Sequence, residues 1–94
     1  MANRIDCVNK QPRNDPYRQI THVGGVNSNG GRWRITQDNA IDRIETGRNS
    51  FYVERPSGDR VEVVVAVSRH GNKYIKTEAD GDEPNNLLSL PECR

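Results

Sequence analysis

The run SFYVERPSGDRVEVVVAVSRHGNKYIKTEA, residues 50–79, decides the fold. Three stretches rich in β-branched and aromatic residues are separated by Pro56-Ser57-Gly58-Asp59 and by Gly71-Asn72, both turn signals. Gly71-Asn72 has the chemistry of a two-residue hairpin turn with glycine first. Within the middle strand, Val61, Val63, Val65 and Val67 share one face, while Val64 and Ala66 give the other an apolar character too. A strand that is apolar on both sides is expected at the centre of a sheet, covered on both sides. If Phe51, Val53 and Ile75 point inward with the valines, then Tyr52, Tyr74 and Lys76 point outward.

Upstream, RIDCVN (4–9) reads as a short strand and KQPRNDPY (10–17) as a loop. ITHVGGV (20–26), the turn NSNGG (27–31) and RWRIT (32–36) read as a hairpin over 20–35. TQDNAIDRIETG (36–47) is the one convincing helix. Thr36 or Asp38 can cap its orphan amides, and Gly47 stands where a helix end takes a left-handed residue. Ala40, Ile41 and Ile44 form its apolar stripe. One helix covers one sheet face, so Leu87, Leu88 and Leu90 in the tail are the expected cover for the other.

The chain has 94 residues, room for a single small domain over 1–94. Leu, Ile, Val and Phe make up 19 of those 94, close to the level associated with disorder. Disorder also needs high net charge, whereas 14 basic residues here face 13 acidic ones. The chain is therefore read as folded and very polar. Its net charge of +1 gives no general attraction to nucleic acid or membrane. MANRIDCVNK has no apolar segment of the signal-peptide kind, and no run is long enough to span a bilayer. A cytoplasmic protein that does not engage the membrane is expected. In that reducing setting Cys7 and Cys93 read as free thiols, with a disulfide between the termini as the alternative.

No motif announces catalysis or a cofactor. GGVNSNGG (24–31) has the glycines of a phosphate loop but lacks the Lys-Ser/Thr and the helix that must follow, so it reads as a hairpin turn. ADGDEPNN (79–86) places Asp80, Asp82 and Glu83 off the spacing of a calcium loop. It reads as a solvated turn, with Asp82 or Glu83 capping a short helical segment from Pro84. His22 and His70 lie in no metal or catalytic context, and Cys7 is read as a small apolar residue rather than the partner of His22. The chain is expected not to be an enzyme, and neither a metal nor a cofactor is expected.

Binding has better support. Aromatics interleaved with basic residues in GRWR (31–34) and KYIK (73–76) can stack bases and meet phosphates. Arg32, Arg34, Tyr52, Lys73, Tyr74 and Lys76 are the candidate residues for nucleic acid or for a protein partner. Against this, Trp33 shares a face with Ile35 and is more often core.

KYIKTEADG (73–81) with NNLLSLPE (85–92) resembles the C-terminal signature of a family of short bacterial proteins classed as a domain of unknown function. ITHVGG (20–25), the helix Thr36–Ile44, Tyr52-Val53 and RVEVVVA (60–66) extend the likeness over most of the chain. The resemblance implies a small stand-alone bacterial domain and carries over no activity, substrate or residue role.

The expected architecture is α+β: one mainly antiparallel sheet of about five strands, one helix on one face, and a C-terminal covering segment. The expected core is Ile5, Ile20, Val23, Trp33, Ile35, Ile41, Ile44, Phe51, Val53, Val61, Val63, Val65, Ile75 and Leu88. The leading functional expectation is a non-catalytic binding or adaptor module for an unknown protein partner or a second copy of itself. Nucleic-acid binding through a basic and aromatic sheet surface is the alternative.

Overall fold

The computed structural model describes residues 2–11, 19–81 and 85–93. Much of the loop expected at 10–17, and Asp82, Glu83 and Pro84 with their expected capping role, lie outside these residues. In chain order the elements are β1 (Ala2–Arg4), β2 (Cys7–Lys10), β3 (Ile20–Val26), β4 (Arg32–Thr36), α1 (Gln37–Glu45), β5 (Ser50–Glu54), β6 (Arg60–Val67), β7 (Lys73–Thr77) and α2 (Asn85–Leu88). The class is α+β, mostly antiparallel, with one main helix.

The strands form two sheets rather than one. A four-stranded sheet has the order β1-β5-β6-β7, and a three-stranded sheet has the order β2-β3-β4. Every pairing is antiparallel except β1 with β5. The single strand expected at 4–9 is divided between them. Ile5 N–H donates to Tyr52 O at 2.9 Å in the first sheet, and the next amide, Asp6 N–H, donates to Gly24 O at 2.9 Å in the second. The chain changes sheets within one peptide. Gly25 makes that crossing possible: a Cβ there would lie 2.2 Å from Arg4 O.

Three of the antiparallel connections, β3–β4, β5–β6 and β6–β7, use one turn design. In Asn27–Gly31, Arg55–Asp59 and Ser68–Asn72 the first residue's N–H bonds the last residue's carbonyl, at 2.7, 2.9 and 2.8 Å. The fourth residue is Gly30, Gly58 or Gly71, with φ of 88°, 93° and 85°. Each is a three-residue loop whose last member is left-handed, the geometry that matches strand twist. This corrects the two-residue turn expected at Gly71-Asn72. Gly71 closes the loop instead of opening it, because Arg69 and His70 complete the turn before it.

Helix α1 begins and ends as the sequence suggests. Thr36 Oγ1 accepts the Asn39 N–H at 3.1 Å. At the other end Gly47 adopts φ 74°, and Arg48 N–H reaches back to Arg43 O at 3.0 Å, a Schellman closure.

One core lies between the sheets. Ile5, Val8, Ile20, Val23, Ala40, Ile41, Phe51, Val53, Val63, Ile75 and Leu87 are buried together, with Trp33, Ile35, Ile44, Val65 and Leu88 packed partly buried against them. Two expectations change here. Leu87 rather than Leu88 is the fully buried leucine. Val67, aligned with the inward valines, is 61% exposed because β6 outruns the core at that end.

The tail covers a different place from the one expected. Leu87 joins the residues of the inner face, and Asn86 Nδ2 donates to Thr77 Oγ1 at 2.9 Å on that same side. Helix α2 therefore closes the interior and does not lie over the face bearing Val64 and Ala66. Beyond it the chain pairs with β2: Val8 N–H donates to Pro91 O at 3.0 Å and Cys93 N–H to Val8 O at 3.2 Å.

Candidate functional site

The six residues singled out for binding are distributed over both sheets. Arg32 and Arg34 alternate with Trp33 on β4 and are exposed. Arg32 Nη2 lies 3.2 Å from Asp6 Oδ1 and 3.4 Å from Cys7 Sγ. Arg34 Nη1 donates to Asn9 Oδ1 at 3.3 Å.

The other four belong to the four-stranded sheet. Cross-strand register puts Tyr52 opposite Glu62, Val64 opposite Lys76 and Ala66 opposite Tyr74, all on the outer face. Tyr52 is half-buried, with the Arg60 guanidinium 4.4 Å from its ring centroid. Lys76 is half-buried and its Nζ donates to Gly81 O at 2.9 Å. Tyr74, expected on an open face, is only 3% exposed and offers no ring for stacking. Lys73 takes the opposite parity and pairs with Glu45 at the end of α1, Nζ to Oε2 2.8 Å. No single basic and aromatic platform results.

The cysteines are joined. Cys7 and Cys93 form a disulfide with Cα atoms 4.9 Å apart, correcting the expectation of two free thiols. Sequence separation hid the pair, since the two stand 86 positions apart in the chain. Pairing of the last residues with β2 brings them together. Gly24 leaves room for the bridge: a Cβ there would stand 3.0 Å from each sulfur. The two glycines of ITHVGG thus serve two close approaches, one to the disulfide and one to the chain crossing.

Asp80 is also architectural. Asp80 Oδ2 accepts both the backbone N–H and the Oγ1 hydroxyl of Thr77, each at 3.0 Å. Its other oxygen accepts from the Asn86 backbone at 3.2 Å and from Asn86 Nδ2 at 3.0 Å. Asp80 therefore ties the end of β7 to α2. Among the described residues no group of three or more His, Cys, Asp or Glu could hold a metal ion.

The clearest electrostatic perturbation lies in a turn. Arg55 donates to Asp59, Nε to Oδ2 2.8 Å, and with Ser57 it holds the Asp59 carboxyl down to about 2. Both partners sit on the exposed loop between β5 and β6, where the contact stiffens a turn. His22 is half-buried, its Nδ1 3.0 Å from Thr21 Oγ1, and His70 is exposed in the β6–β7 turn.

One feature escaped the sequence reading. A cleft of about 200 Å³ opens between α1 and strands β1, β4 and β5, lined by Asn3, Asn27, Trp33, Arg43, Asn49 and Phe51 among others. Only the three-dimensional course of the chain brings these residues together. Arg43 has no flanking pattern that marks it.

Among the described residues, no helix is long and apolar enough to cross a membrane. No curated protein and no solved structure matches this chain. Residues 4–91 match the family described as "Protein of unknown function (DUF3892)", and the chain belongs to that family.

Proposed function

We propose that this member of the DUF3892 family is a non-catalytic protein-binding module that meets, in the first instance, a second copy of itself. The observation that carries this reading is the placement of the helices. Ala40 and Ile41 of α1 and Leu87 of α2 belong to one buried core with the inward residues Phe51, Val53, Val63 and Ile75 of the four-stranded sheet. The outer face of β5, β6 and β7 retains Tyr52, Val64 and Ala66 only half-buried. Charges of both signs, Arg60 with Glu54 and Glu62, alternate around them. A face of mixed sign suits another protein surface and can complement its own copy, whereas a polyanion would be repelled by its carboxylates.

Light scattering behind size exclusion tests the reading. The mass should rise towards that of a dimer with concentration, and Val64→Glu should hold it at the monomer. A monomer at every concentration overturns self-association.

The nucleic-acid alternative retains Arg32 and Arg34, exposed on the other sheet, where among the described residues the side chain of Arg34 bonds the neutral Asn9 and makes no ion pair. It requires binding at low salt that falls steeply as salt rises and is lost in Arg32→Gln/Arg34→Gln.

A cytoplasmic setting is likewise a proposal. A reducing compartment keeps thiols open, so trapping the cysteines with a thiol reagent in intact cells reads the compartment directly.

A further inference from the structure

We propose that the cleft beside Arg43 is a binding site for a small, flat monocarboxylate. The charge state of Arg43 is the first reason. Its Nε donates to Asn39 Oδ1 at 3.0 Å and its Nη1 to Asn49 Oδ1 at 2.9 Å. Both acceptors are neutral carboxamides. Arg4, Arg32, Arg48 and Arg55 each face a carboxylate within 4.0 Å; among the described residues Arg34, Arg60, Arg69 and Arg43 make no ion pair, and of these four Arg43 alone is half-buried. A half-buried guanidinium held in place without a counter-charge is arranged for an anion, and its planar fork matches a carboxylate.

The walls specify the rest of the ligand. Trp33, half-buried, offers its ring to the cleft, and the buried Phe51 (3% exposed) packs behind it, ring centroids 5.7 Å apart and planes inclined by 42°. That surface takes a flat apolar body at its edge or face. Asn3, Asn27 and Asn49 surround it with amide groups that can meet ring heteroatoms or a hydroxyl. The cleft is about 200 Å³, below the usual span for drug-sized ligands. A nucleotide would extend well beyond that space, and its phosphates call for more cations than the one Arg43 supplies. A single aromatic or heteroaromatic ring bearing one carboxylate matches both the volume and the charge.

The support is rigid. Arg43 sits in the last turn of α1, and its own carbonyl accepts the Arg48 and Asn49 N–H groups, at 3.0 and 3.3 Å. The guanidinium and Asn49 are therefore fixed relative to one another before any ligand arrives. This site shares no residue with the outer face assigned to self-association, so either reading can fail alone.

Trp33 is the only tryptophan in the chain, and its fluorescence reports on the cleft directly. Benzoate is the probe, titrated into the intact, disulfide-bonded protein. Benzamide removes the charge at constant shape, and acetate keeps the charge without the ring. The expected result is a saturable change in Trp33 emission with benzoate, and binding at least about tenfold weaker for each control. Arg43→Gln, checked for cooperative melting, should lose about the same factor, and Arg43→Lys should retain part of it. Amide shift mapping of the unmodified protein should place the perturbed signals on α1, β4 and β5, which guards against a variant that fails to fold. No saturable change, equal binding of benzamide, shifts elsewhere, or undiminished binding by a folded Arg43→Gln overturns the proposal.

Discussion

The side chain of Gln37 accepts the backbone N–H of Ile75 at 3.0 Å and donates to the backbone carbonyl of Ile20 at 3.0 Å. Gln37 is the first residue of α1 and is only 3% exposed. Ile75 lies on β7, the edge of the four-stranded sheet, and Ile20 lies on β3 of the other. One carboxamide thus satisfies an edge amide and holds two sheets and a helix in register. Gln37→Leu keeps the volume but leaves a buried donor and a buried acceptor, each costing about 1–3 kcal/mol. Urea unfolding should show a loss of about 2–6 kcal/mol on that basis. An unchanged midpoint would show that water replaces the clip.

The glycine pair of β3 should be intolerant of even one methyl group. Gly25→Ala places Cβ against Arg4 O, and Gly24→Ala places it 2.7 Å from Trp33 O. Backbone cannot yield as a flexible side chain can, so each should cost about 1–3 kcal/mol or more by overpacking. Gly81→Ala is the control, since nothing lies within 4 Å of the added carbon. Thermal melts of the three variants compare them directly.

Leu87 and Val64 distinguish an inner cover from an outer one. Leu87 is 0% exposed within the core, so Leu87→Ala should cost about 2–5 kcal/mol. Val64 is half-buried on the outer face, and Val64→Ala should cost clearly less than Leu87→Ala. Deleting residues 84–94 should destabilise the domain at least as much as Leu87→Ala. Equal losses for the two point variants would place the tail over the wrong face.

The disulfide closes a loop across nearly the whole chain, its ends separated by 86 residues. Chain-entropy arguments give such a closure about 4–5 kcal/mol as an upper figure. Reduction, or Cys93→Ser with Cys7→Ser, should lower the melting temperature. It should also raise hydrogen exchange first at Val8 and Cys93, whose N–H groups donate to Pro91 O and Val8 O beside the bridge. Exchange rising uniformly would mean the bridge stabilises the domain globally and not the tail.

Asp59 provides a pH signature. Its folded-state carboxyl sits near 2 against an ordinary 3.8, so the unfolded chain binds the proton more readily. The stabilisation is fully present above the ordinary value and disappears as pH falls through the window between 3.8 and about 2. Asp59→Asn should therefore melt slightly lower than the unmodified protein at pH 7, with the difference vanishing at the acid end. The effect is small because the pair is exposed. A difference that persists at low pH would assign Asp59 a role in turn geometry instead.

Much of the architecture was legible in the sequence. The alternation in RVEVVVAV marked a strand, and Thr36 with Gly47 marked both ends of α1. Gly30, Gly58 and Gly71 marked three turns, although the turn length at Gly71 was misread because Gly-Asn also suits a shorter loop. The candidate site was less legible. Alternation assigned Tyr74 to the outer face correctly, but parity states a direction and says nothing about what lies in it.

What the sequence by itself determined are the properties set within a few residues of chain: strand periodicity, helix caps, turn glycines and the polar, nearly neutral surface. Each depends on backbone sterics or on neighbours one turn away. Tertiary structure alone decided the division into two sheets at Ile5-Asp6, the Cys7–Cys93 bridge, the choice of Leu87 over Leu88, the Gln37 clip and the isolated charge of Arg43. These depend on contacts between segments far apart in the chain. Such contacts are selected by the burial of a shared core, and no local pattern records which distant residue will complete them.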